Sequence, residues 1–410
     1  MTETKICTRC LYTSDHALGI TFDEQGICSG CRIHEEKDSL NWQARWEKLT
    51  ELVKPYRNAQ GTNYDCIIPV TGANDSHFIV HLAKNKLKLN PLLVTYNKYF
   101  NTPLGIRNLA NLRIKFDCDI LVQNVNPISV KKITRTTLLQ FGSDYWHCLA
   151  GHTVFPVQTA VHYKVPLIIW GAHQGLEQVG MFSHEHEVEM TRRYRKDHDL
   201  MGHEADDLIS VNNTLREEDI WQYRYPSDTD LNAVGVRGIY LGNFLRWDPK
   251  AQHEQMMRDF DYRTAAFERT FDCYDHVDCY NYMDIHDILK LYKHGFSKVT
   301  DHVCREIRFG RITREEGMAL VKKHEHAPLK HLDLFRDWLG MEERALYFLL
   351  DRARSPKHWI ETRPGEFKFN GASECFPTSS SAKLATIFKA NDKFDYDRPR
   401  GYVIIGKGYP

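Results

Sequence analysis

Short apolar runs alternate with longer amphipathic stretches through residues 62–250. The apolar runs predict buried strands at 66–70, 92–96, 119–123 and 166–171. Apolar positions at helical spacing predict helices at 77–88, 103–116, 127–141 and 147–163. Apolar strands that alternate with helices are typical of a parallel sheet covered on both faces. The pattern therefore predicts an α/β fold built on a doubly wound parallel sheet.

Different patterns flank this alternation. The N-terminal stretch carries four cysteines and then a helix in which Trp42, Trp46 and Leu49 share one face. The C-terminal stretch is mostly helical in pattern and rich in charge pairs. We predict three regions, namely a cysteine-bearing segment with a linking helix (1–60), an α/β domain (61–250) and a mainly helical domain (251–410).

Composition and charge narrow the class of protein. The 410 residues contain 54 Lys and Arg against 54 Asp and Glu, so the formal net charge is zero. A neutral chain argues against a strongly basic nucleic-acid-binding face. No apolar run reaches the ~18 residues that a membrane span needs, and the N-terminus lacks the apolar core of a secretory signal. We expect a cytoplasmic protein with no membrane span and no nucleic-acid partner.

The N-terminal cysteines form two Cys-x-x-Cys pairs. Zinc binds four thiolates in a tetrahedron, and each pair supplies two of them from one tight turn. The spacing falls in the range of zinc ribbons, so we predict a structural zinc ion held by Cys7, Cys10, Cys28 and Cys31. Such a closed site has no open position for catalysis. A redox pair, an iron–sulfur cluster or four free cysteines are the alternatives.

A loop of small residues follows the first predicted strand. Backbone N–H groups at a strand-to-helix turn favour phosphate, and open α/β sheets bind ligands at the carboxyl ends of their strands. The loop lacks the Gly-Lys-Ser ending of a Walker A motif. It resembles the PP-loop of ATP pyrophosphatases, Ser-Gly-Gly-x-Asp-Ser, because Gly72, Asp75 and Ser76 match while Thr71 and Ala73 replace Ser and Gly. The alternative is a plain turn with Ser76 near a helix start.

Further motifs resemble the N-acetyl sugar amidotransferase family, PP-loop proteins of surface-polysaccharide biosynthesis. Besides the cysteines and the loop, the matching stretches are Trp146–Cys148, Phe155–Gln158, Pro166–Gly171, Glu189–Asp199, a loop ending at Asn243, and Thr300–Glu316. The sequence departs from the family in two places. Asn74 replaces a lysine-type residue of the loop, and Ala172-His173-Gln174 replaces an acidic pair after Gly171.

The resemblance implies an adenine nucleotide alpha hydrolase-like fold and a reaction that uses ATP and Mg²⁺. Family members convert the acetamido group of a nucleotide-linked N-acetyl sugar into an acetamidino group, for polymers such as the O-antigen of lipopolysaccharide (LPS). ATP would adenylate the amide oxygen, and ammonia would then displace AMP. The resemblance also implies a HisH-like glutaminase that makes the ammonia and a HisF-like barrel partner that delivers it.

The loop resemblance also assigns individual roles. Asp75 is predicted to hold Mg²⁺, which prefers carboxylate and phosphate oxygens, and Ser76 is grouped with it as catalytic. The alternative for Asp75 is an acid that interacts with the helix dipole. The predicted cofactor-binding residues are Thr71, Gly72, Ala73, Asn74, Asp75, Ser76, Thr95, Tyr96 and Gly171.

Two other catalytic candidates each have a competing interpretation. Cys148 is either a catalytic thiol or a buried core cysteine. His184 is a candidate for acid–base chemistry, or for metal binding with His186 if the two share a strand face. Because the chain has 21 histidines, a chance pairing is a serious rival.

A basic run is the candidate substrate-binding motif. Arg192, Arg193 and Arg195 suit a diphosphate or carboxylate of the substrate, because guanidinium groups bind such anions in a fork. The alternative is a solvated helix face that pairs with neighbouring acids.

Together with these motifs, the resemblance implies an ATP-dependent, AMP-forming N-acetyl sugar amidotransferase. One rival is a PP-loop sulfur-transfer enzyme, and the neutral charge weighs against tRNA as its substrate. The other rival is a non-catalytic scaffold for a glutaminase complex. The altered loop residues Thr71, Ala73 and Asn74 favour that second rival.

Overall fold

The computed structural model describes residues 4–73, 75–211, 214–377 and 387–393, so Asn74 lies outside the described residues. The N-terminal segment carries the two cysteine turns and then helices α1 (Ser29–Ser39) and α2 (Trp42–Val53). Asn41 caps α2, because its Oδ1 accepts a hydrogen bond from the Ala44 N–H at 3.0 Å. Leu49 is fully buried and Trp46 packs on the same core, as the helical spacing predicts.

A five-stranded sheet forms the centre of the molecule. Its strands are β1 (Cys66–Pro69), β2 (Pro91–Tyr96), β3 (Ile120–Gln123), β4 (Leu167–Trp170) and β5 (Arg237–Tyr240). All neighbouring strands are parallel, in the order β3-β2-β1-β4-β5. The parallel α/β sheet and the four predicted strands are confirmed. The strand order reverses between β1 and β4, which is where open sheets of this kind bind ligands.

Helices connect the strands and cover both faces of the sheet. Those of the α/β region are α3 (Ser76–His81), α4 (Pro103–Phe116), α5 (Pro127–Phe141), α6 (Trp146–Tyr163), α7 (Gln174–Glu177), α8 (Arg192–Tyr194), α9 (Ala205–Val211), α10 (Glu217–Ile220), α11 (Asp228–Val234) and α12 (Pro249–Phe260). The predicted helices at 103–116 and 127–141 are confirmed to the residue. The helix predicted at 77–88 is shorter, because a π-helical turn (Leu82–Lys86) follows α3.

The C-terminal region is mostly helical, as predicted. Its helices are α13 (Tyr280–Met283), α14 (Ile285–His294), α15 (Lys298–Arg308), α16 (Arg314–His324), α17 (Leu332–Leu339) and α18 (Glu343–Arg352). A two-stranded antiparallel hairpin follows, made of β6 (Trp359–Arg363) and β7 (Glu366–Phe369). Among the described residues, no helix is both long enough and apolar enough to cross a membrane.

The three stretches of sequence pack into shared cores. The cluster that contains the sheet also contains Val53 of α2 and Tyr262 and Val277 of the C-terminal region. A second cluster joins the N-terminal cysteines to Val299 and Val303 of α15. Both the N-terminal segment and the C-terminal helices are therefore fixed against the α/β region, and residues from all three can line one site.

Candidate functional site

The four N-terminal cysteines come together in one buried cluster. The thiol sulfurs of Cys7, Cys10, Cys28 and Cys31 lie within 4.8 Å of one another, and all four residues are buried. The backbone N–H groups of Cys10 and Cys28 donate to the Cys7 sulfur at 3.4 and 3.3 Å. Hydrogen bonding with Cys10 lowers the pKa of the Cys28 thiol to about 7. Four converging sulfurs, one of them accepting N–H bonds, fit a tetrahedral zinc ion.

The second cysteine turn is clamped between the other two regions by Arg308. This α15 guanidinium donates to the carbonyl oxygen of Gln178 at 2.7 Å and to the Cys28 sulfur at 3.7 Å. Gly30 is required here, since a Cβ at this position would lie 2.3 Å from the Arg308 side chain and 2.5 Å from the Gln178 carbonyl oxygen. The cysteine cluster therefore helps to fix the loop that follows β4.

Asp75 lies at the point where the strand order reverses. It occupies the N-cap position of α3, yet its side chain makes no capping bond. A Cβ at Gly171, the residue after β4, would lie 3.0 Å from Asp75 Oδ2, so the carboxylate occupies the space that the glycine leaves. No hydrogen-bond donor or ion-pair partner contacts this carboxylate within the described chain. Burial raises its pKa from 3.8 to about 7, and His253 opposes the shift.

The rest of the loop forms hydrogen bonds within itself. Ser76 Oγ accepts from the Thr71 N–H at 2.8 Å, and Thr71 Oγ1 both accepts from and donates to the backbone of Ala73 at 3.1 Å. Gly72 packs on α4, because a Cβ there would lie 2.0 Å from the Gly105 carbonyl oxygen. Ala73 does not have a positive φ, so its Cβ causes no left-handed strain.

The predicted nucleotide contacts at the end of β2 lie beside this loop. Thr71, Gly72, Thr95 and Tyr96 line a small pocket of about 10 Å³, which we call the loop pocket. The Tyr96 hydroxyl bonds to His147 Nδ1 at 3.0 Å and to the Tyr223 hydroxyl at 2.7 Å. The structure thus brings these four predicted residues together, in a space about the size of one water molecule.

Asp75 opens instead onto a larger space, the central cavity. Its volume is about 400 Å³, and its walls come from all three regions of the chain. Its charged residues are the carboxylates Asp75, Glu177, Asp275 and Asp301 and the cations Lys298, Arg305 and Arg308, and His34, His276 and His302 add imidazoles. A space of this size with convergent polar groups is typical of a small-molecule site.

Two wall carboxylates of the central cavity hold the regions together. Asp301 accepts hydrogen bonds from the Tyr12 hydroxyl at 2.9 Å and from the Gln178 side chain at 2.8 Å, and it pairs with Lys290. Glu177 accepts from Lys37 at 2.5 Å through Oε2. Its Oε1 is buried and has no hydrogen-bond partner within the described chain. Glu177 therefore has one carboxylate oxygen without a described partner, and it shares the cavity wall with Asp75.

A second space, the basic cavity, adjoins the central one. The two share Gln174, Gln178, Tyr282 and Lys298 as wall residues, and the basic cavity has a volume of about 250 Å³. Its lysine, histidine and carboxylate wall residues are Lys290, Lys293, Lys298, His16, His198, His286, His294 and Asp199. Burial lowers the pKa of Lys293, and the charge of Asp144 opposes that shift. In the described chain Lys293 makes no hydrogen bond or ion pair, so this cavity suits an anion.

The other catalytic candidates lie outside these walls. Cys148 is buried in the core cluster that contains Tyr96 and Cys279, and burial raises the pKa of its thiol above 9.0. His184 is also buried, and its Nδ1 lies 3.2 Å from a carboxylate oxygen of Glu36. It sits in a 3-10 turn (His184–His186), so the shared strand face on which a metal-binding pair depended is not formed.

The structure separates the three arginines of the predicted substrate-binding run. Arg192 binds both carboxylate oxygens of Glu204, at 2.7 and 2.9 Å. Arg193 extends into solvent with 93% of its side chain exposed. Arg195 is buried 4.0 Å from the Trp170 ring and pairs with Asp199, which lines the basic cavity. Of the three, only Arg195 is thus linked to a cavity wall, through its ion pair with Asp199.

Sequence reasoning missed most of the wall of the central cavity. Asp275 and His276 were not candidates, and His302, Arg305 and Arg308 appeared only inside a matching stretch of family sequence. One signal was present, because Asp301, Arg305 and Arg308 recur at spacings of one helical turn on α15. The loop before α13 gives no such signal, since only the fold brings it to β1.

Comparison with known proteins adds two findings. Residues 254–371 match the C-terminal domain of WbpG-like LPS biosynthesis proteins. The chain is also 27% identical over 118 residues to an uncharacterized protein, MJ1599, of Methanocaldococcus jannaschii. That similarity covers 29% of this chain and 42% of the relative's length. The first match supports a relationship to LPS biosynthesis proteins, and it includes the α15 wall of the central cavity.

Proposed function

We propose that this protein acts in polysaccharide biosynthesis as an ATP-dependent amidotransferase on a nucleotide-linked N-acetyl sugar. The observation that carries the proposal is the position of Asp75, an unpaired carboxylate at the reversal of strand order, facing a cavity of about 400 Å³. The likeness of residues 254–371 to LPS biosynthesis proteins supports the same pathway class.

In this proposal ATP occupies the central cavity. Asp75 and the free oxygen of Glu177 would hold Mg²⁺, which prefers carboxylate and phosphate oxygens and would neutralise charge on the phosphates. Arg305 and Lys298 add positive charge for the same groups. The loop pocket is too small for an adenine ring, so we place the nucleotide on the Asp75 side of the loop.

The acceptor sugar would bind in the basic cavity. Lys290, Lys293 and Lys298 provide charge for a diphosphate, and Lys293 has no competing partner in the described chain. The shared wall of Gln174, Gln178 and Tyr282 lies where the two ligands would meet. Amide and hydroxyl groups at this boundary would orient the acetamido group toward ATP.

The chemistry follows from the poor leaving ability of an amide oxygen. That oxygen would attack the α-phosphorus of ATP, and pyrophosphate would leave. Ammonia would then attack the imidate carbon, lose a proton and expel AMP, which leaves an acetamidine. The imidate must be shielded from water, and walls drawn from three regions of the chain serve that purpose.

The zinc ion in this proposal is structural. Four sulfurs complete its coordination, so it supplies no open position for catalysis. Its role is to fix the Cys28 turn against Arg308 and the loop that follows β4. The ammonia would come from a HisH-like glutaminase through a HisF-like partner, as the family resemblance implies.

The proposal is tested by incubating the zinc-loaded protein with Mg-ATP, ammonium and a panel of nucleotide-linked N-acetyl sugars. We expect AMP and pyrophosphate in amounts that depend on one of the sugars. Asp75→Asn should abolish AMP release, and Glu185→Gln, an exposed carboxylate outside both cavities, should leave it unchanged. ATP consumption that is independent of every sugar would contradict the assigned acceptor.

A non-catalytic scaffold is the second candidate, and one observation favours it. The described loop residues bond to one another and leave about 10 Å³ beside Thr71 and Gly72. A folded, zinc-loaded protein that does not bind Mg-ATP in calorimetry would establish this alternative. Iron or labile sulfide in the purified protein would instead point to the sulfur-transfer rival.

A further inference from the structure

The wall of the central cavity contains a second cluster of metal-ligating side chains. Ligand atoms of Asp275, His276 and His302 lie within 4.8 Å of one another. We propose that these residues bind a divalent transition-metal ion, separate from the ion of the cysteine cluster and from the Mg²⁺ that accompanies ATP. This site is independent of the proposed reaction, because it rests on the positions of three side chains alone.

Hydrogen bonds from two sides hold the loop that carries Asp275 in place. Asp272 Oδ1 accepts hydrogen bonds from the N–H groups of Tyr274 and Asp275 at 2.8 and 3.1 Å. Arg305 of α15 pairs with Asp272 and donates to Asp275 Oδ2 at 2.8 Å. The other carboxylate oxygen, Oδ1, is left to face His253 at 3.4 Å and can serve as a metal ligand.

The two histidines are positioned by different means. His302 is buried, and its Nδ1 bonds to the Thr270 hydroxyl at 2.6 Å. A hydrogen bond at one ring nitrogen orients the imidazole and leaves the other nitrogen, Nε2, for a metal. His276 has a left-handed backbone, with φ of 55°, which a residue with a Cβ rarely adopts. Backbone strain of this kind persists where the surrounding structure holds it, often at functional sites.

The local charge balance favours a cation despite the nearby guanidinium. Arg305 contacts three carboxylates, those of Asp272, Asp275 and Glu306. Arg311 shares Glu306 and also pairs with Asp248, so two guanidinium groups meet four carboxylates. Asp275 and Arg305 of this network line the cavity, where Asp75 adds another carboxylate. A bound cation would compensate this excess.

The donor set selects the kind of ion. Mg²⁺ and Ca²⁺ prefer oxygen ligands, whereas two imidazoles and one carboxylate suit zinc, manganese, iron or cobalt. Three protein ligands leave coordination positions open, and all three residues line the central cavity. An anionic oxygen of a bound ligand would therefore complete the coordination of the ion.

Cobalt titration of the full-length protein tests the site. The cysteine cluster is first loaded with zinc, loosely held metal is removed with a weak chelator, and Co²⁺ is added. We expect a second ion per chain that gives weak visible bands and no thiolate-to-cobalt charge-transfer band, because its ligands are nitrogen and oxygen. His302→Gln and His276→Gln should each weaken Co²⁺ binding by at least roughly tenfold. His34→Gln, which alters the same cavity wall but no ligand, should bind as the unsubstituted protein does.

Zinc content and thermal unfolding establish that each variant is folded, and either histidine variant is sufficient for the comparison. The proposal is overturned if the folded, zinc-loaded protein takes up no Co²⁺. It is equally overturned if Co²⁺ binds with thiolate charge transfer, or if a folded His302→Gln or His276→Gln protein binds it unchanged. None of these readouts depends on ATP or on a sugar, so failure here is distinguishable from failure of the proposed function.

Discussion

Asp75 and Gly171 lie against each other where the strand order reverses. A Cβ added to Gly171 would lie 3.0 Å from Asp75 Oδ2. We predict that Gly171→Ala weakens Mg-ATP binding roughly tenfold, because the new methyl group displaces the carboxylate from its place. Calorimetric titration with Mg-ATP measures this. Gly242→Ala is the matched control, since the atoms nearest to its Cβ, Ala172 Cα and Glu177 Oε1, lie at an ordinary 3.7 Å and need not move. Equal losses in both variants would mean that the contact with Asp75 is not the cause.

The raised pKa of Asp75, about 7, predicts a pH-dependent cost to stability. Below about pH 3 the carboxyl is mostly protonated in both folded and unfolded states, so it contributes little difference. As pH rises toward about 7, the unfolded state ionises first and the folded state loses stability. Asp75→Asn should therefore match the unsubstituted protein near pH 3 and exceed its unfolding free energy by about 2 kcal/mol near pH 8, allowing for partial exposure. Urea unfolding across this range measures the difference, and a gap that is independent of pH would contradict the assignment.

The same carboxyl predicts opposite effects of pH on stability and on ligand binding. Only the ionised form of Asp75 can hold Mg²⁺, so Mg-ATP affinity should increase as pH rises through about 7. The dissociation constant of Mg-ATP measured at several pH values tests this. An affinity that falls over the same interval would show that Asp75 does not contact the metal.

The cysteine cluster should stabilise the loop that follows β4 as well as the N-terminal segment. Cys7→Ser should abolish tight zinc binding and lower the unfolding free energy by roughly 3 kcal/mol or more. Because Arg308 joins the Cys28 turn to the Gln178 carbonyl, Mg-ATP binding should weaken as well. Zinc analysis, thermal unfolding and calorimetry measure these effects. Cys375→Ser, which alters an exposed cysteine, is the control and should change none of them.

A substitution of Lys293 tests the binding of the acceptor sugar separately from the binding of ATP. Lys293→Met removes the ammonium group without a described partner in the basic cavity and should raise the KM for the sugar roughly tenfold. The dissociation constant of Mg-ATP should not change, because Lys293 does not line the central cavity. Lys323→Met, at an exposed position of α16, is the control. A change in ATP binding alone would contradict the placement of the two ligands.

The sequence predicted the parts of this fold that have strong local signals. The bounds predicted for helix α4 match the structure, in which Thr102 caps the helix and Pro103 starts it. Strand β5 was missed, since Arg237–Tyr240 is short and opens with Arg and Gly rather than an apolar run. Being the edge strand beside β4, it is defined by pairing that the sequence does not display.

The candidate site residues also divide into those that local sequence motifs indicate and those that only tertiary packing brings together. The four cysteines lie in two short motifs whose spacing predicts zinc binding, and Asp75 lies in a loop whose predicted role rests on its resemblance to the PP-loop. Asp275, His276 and His302 are distant from Asp75 in sequence, and only packing of the C-terminal region on the sheet edge brings them to the cavity. The basic cavity likewise combines residues from the N-terminal segment, α6 and α14. Clusters of this kind depend on tertiary contacts that local periodicity does not reveal.

The most direct test of the proposed function is the mass of the sugar product formed with isotope-labelled ammonium. Zinc-loaded protein, Mg-ATP and each nucleotide-linked N-acetyl sugar are incubated, and the sugar is analysed by mass spectrometry. We predict that one sugar exchanges its amide oxygen for a labelled nitrogen, with one AMP released for each amidine formed. AMP release without labelled sugar, or no AMP from folded protein with any sugar, would contradict the amidotransferase assignment.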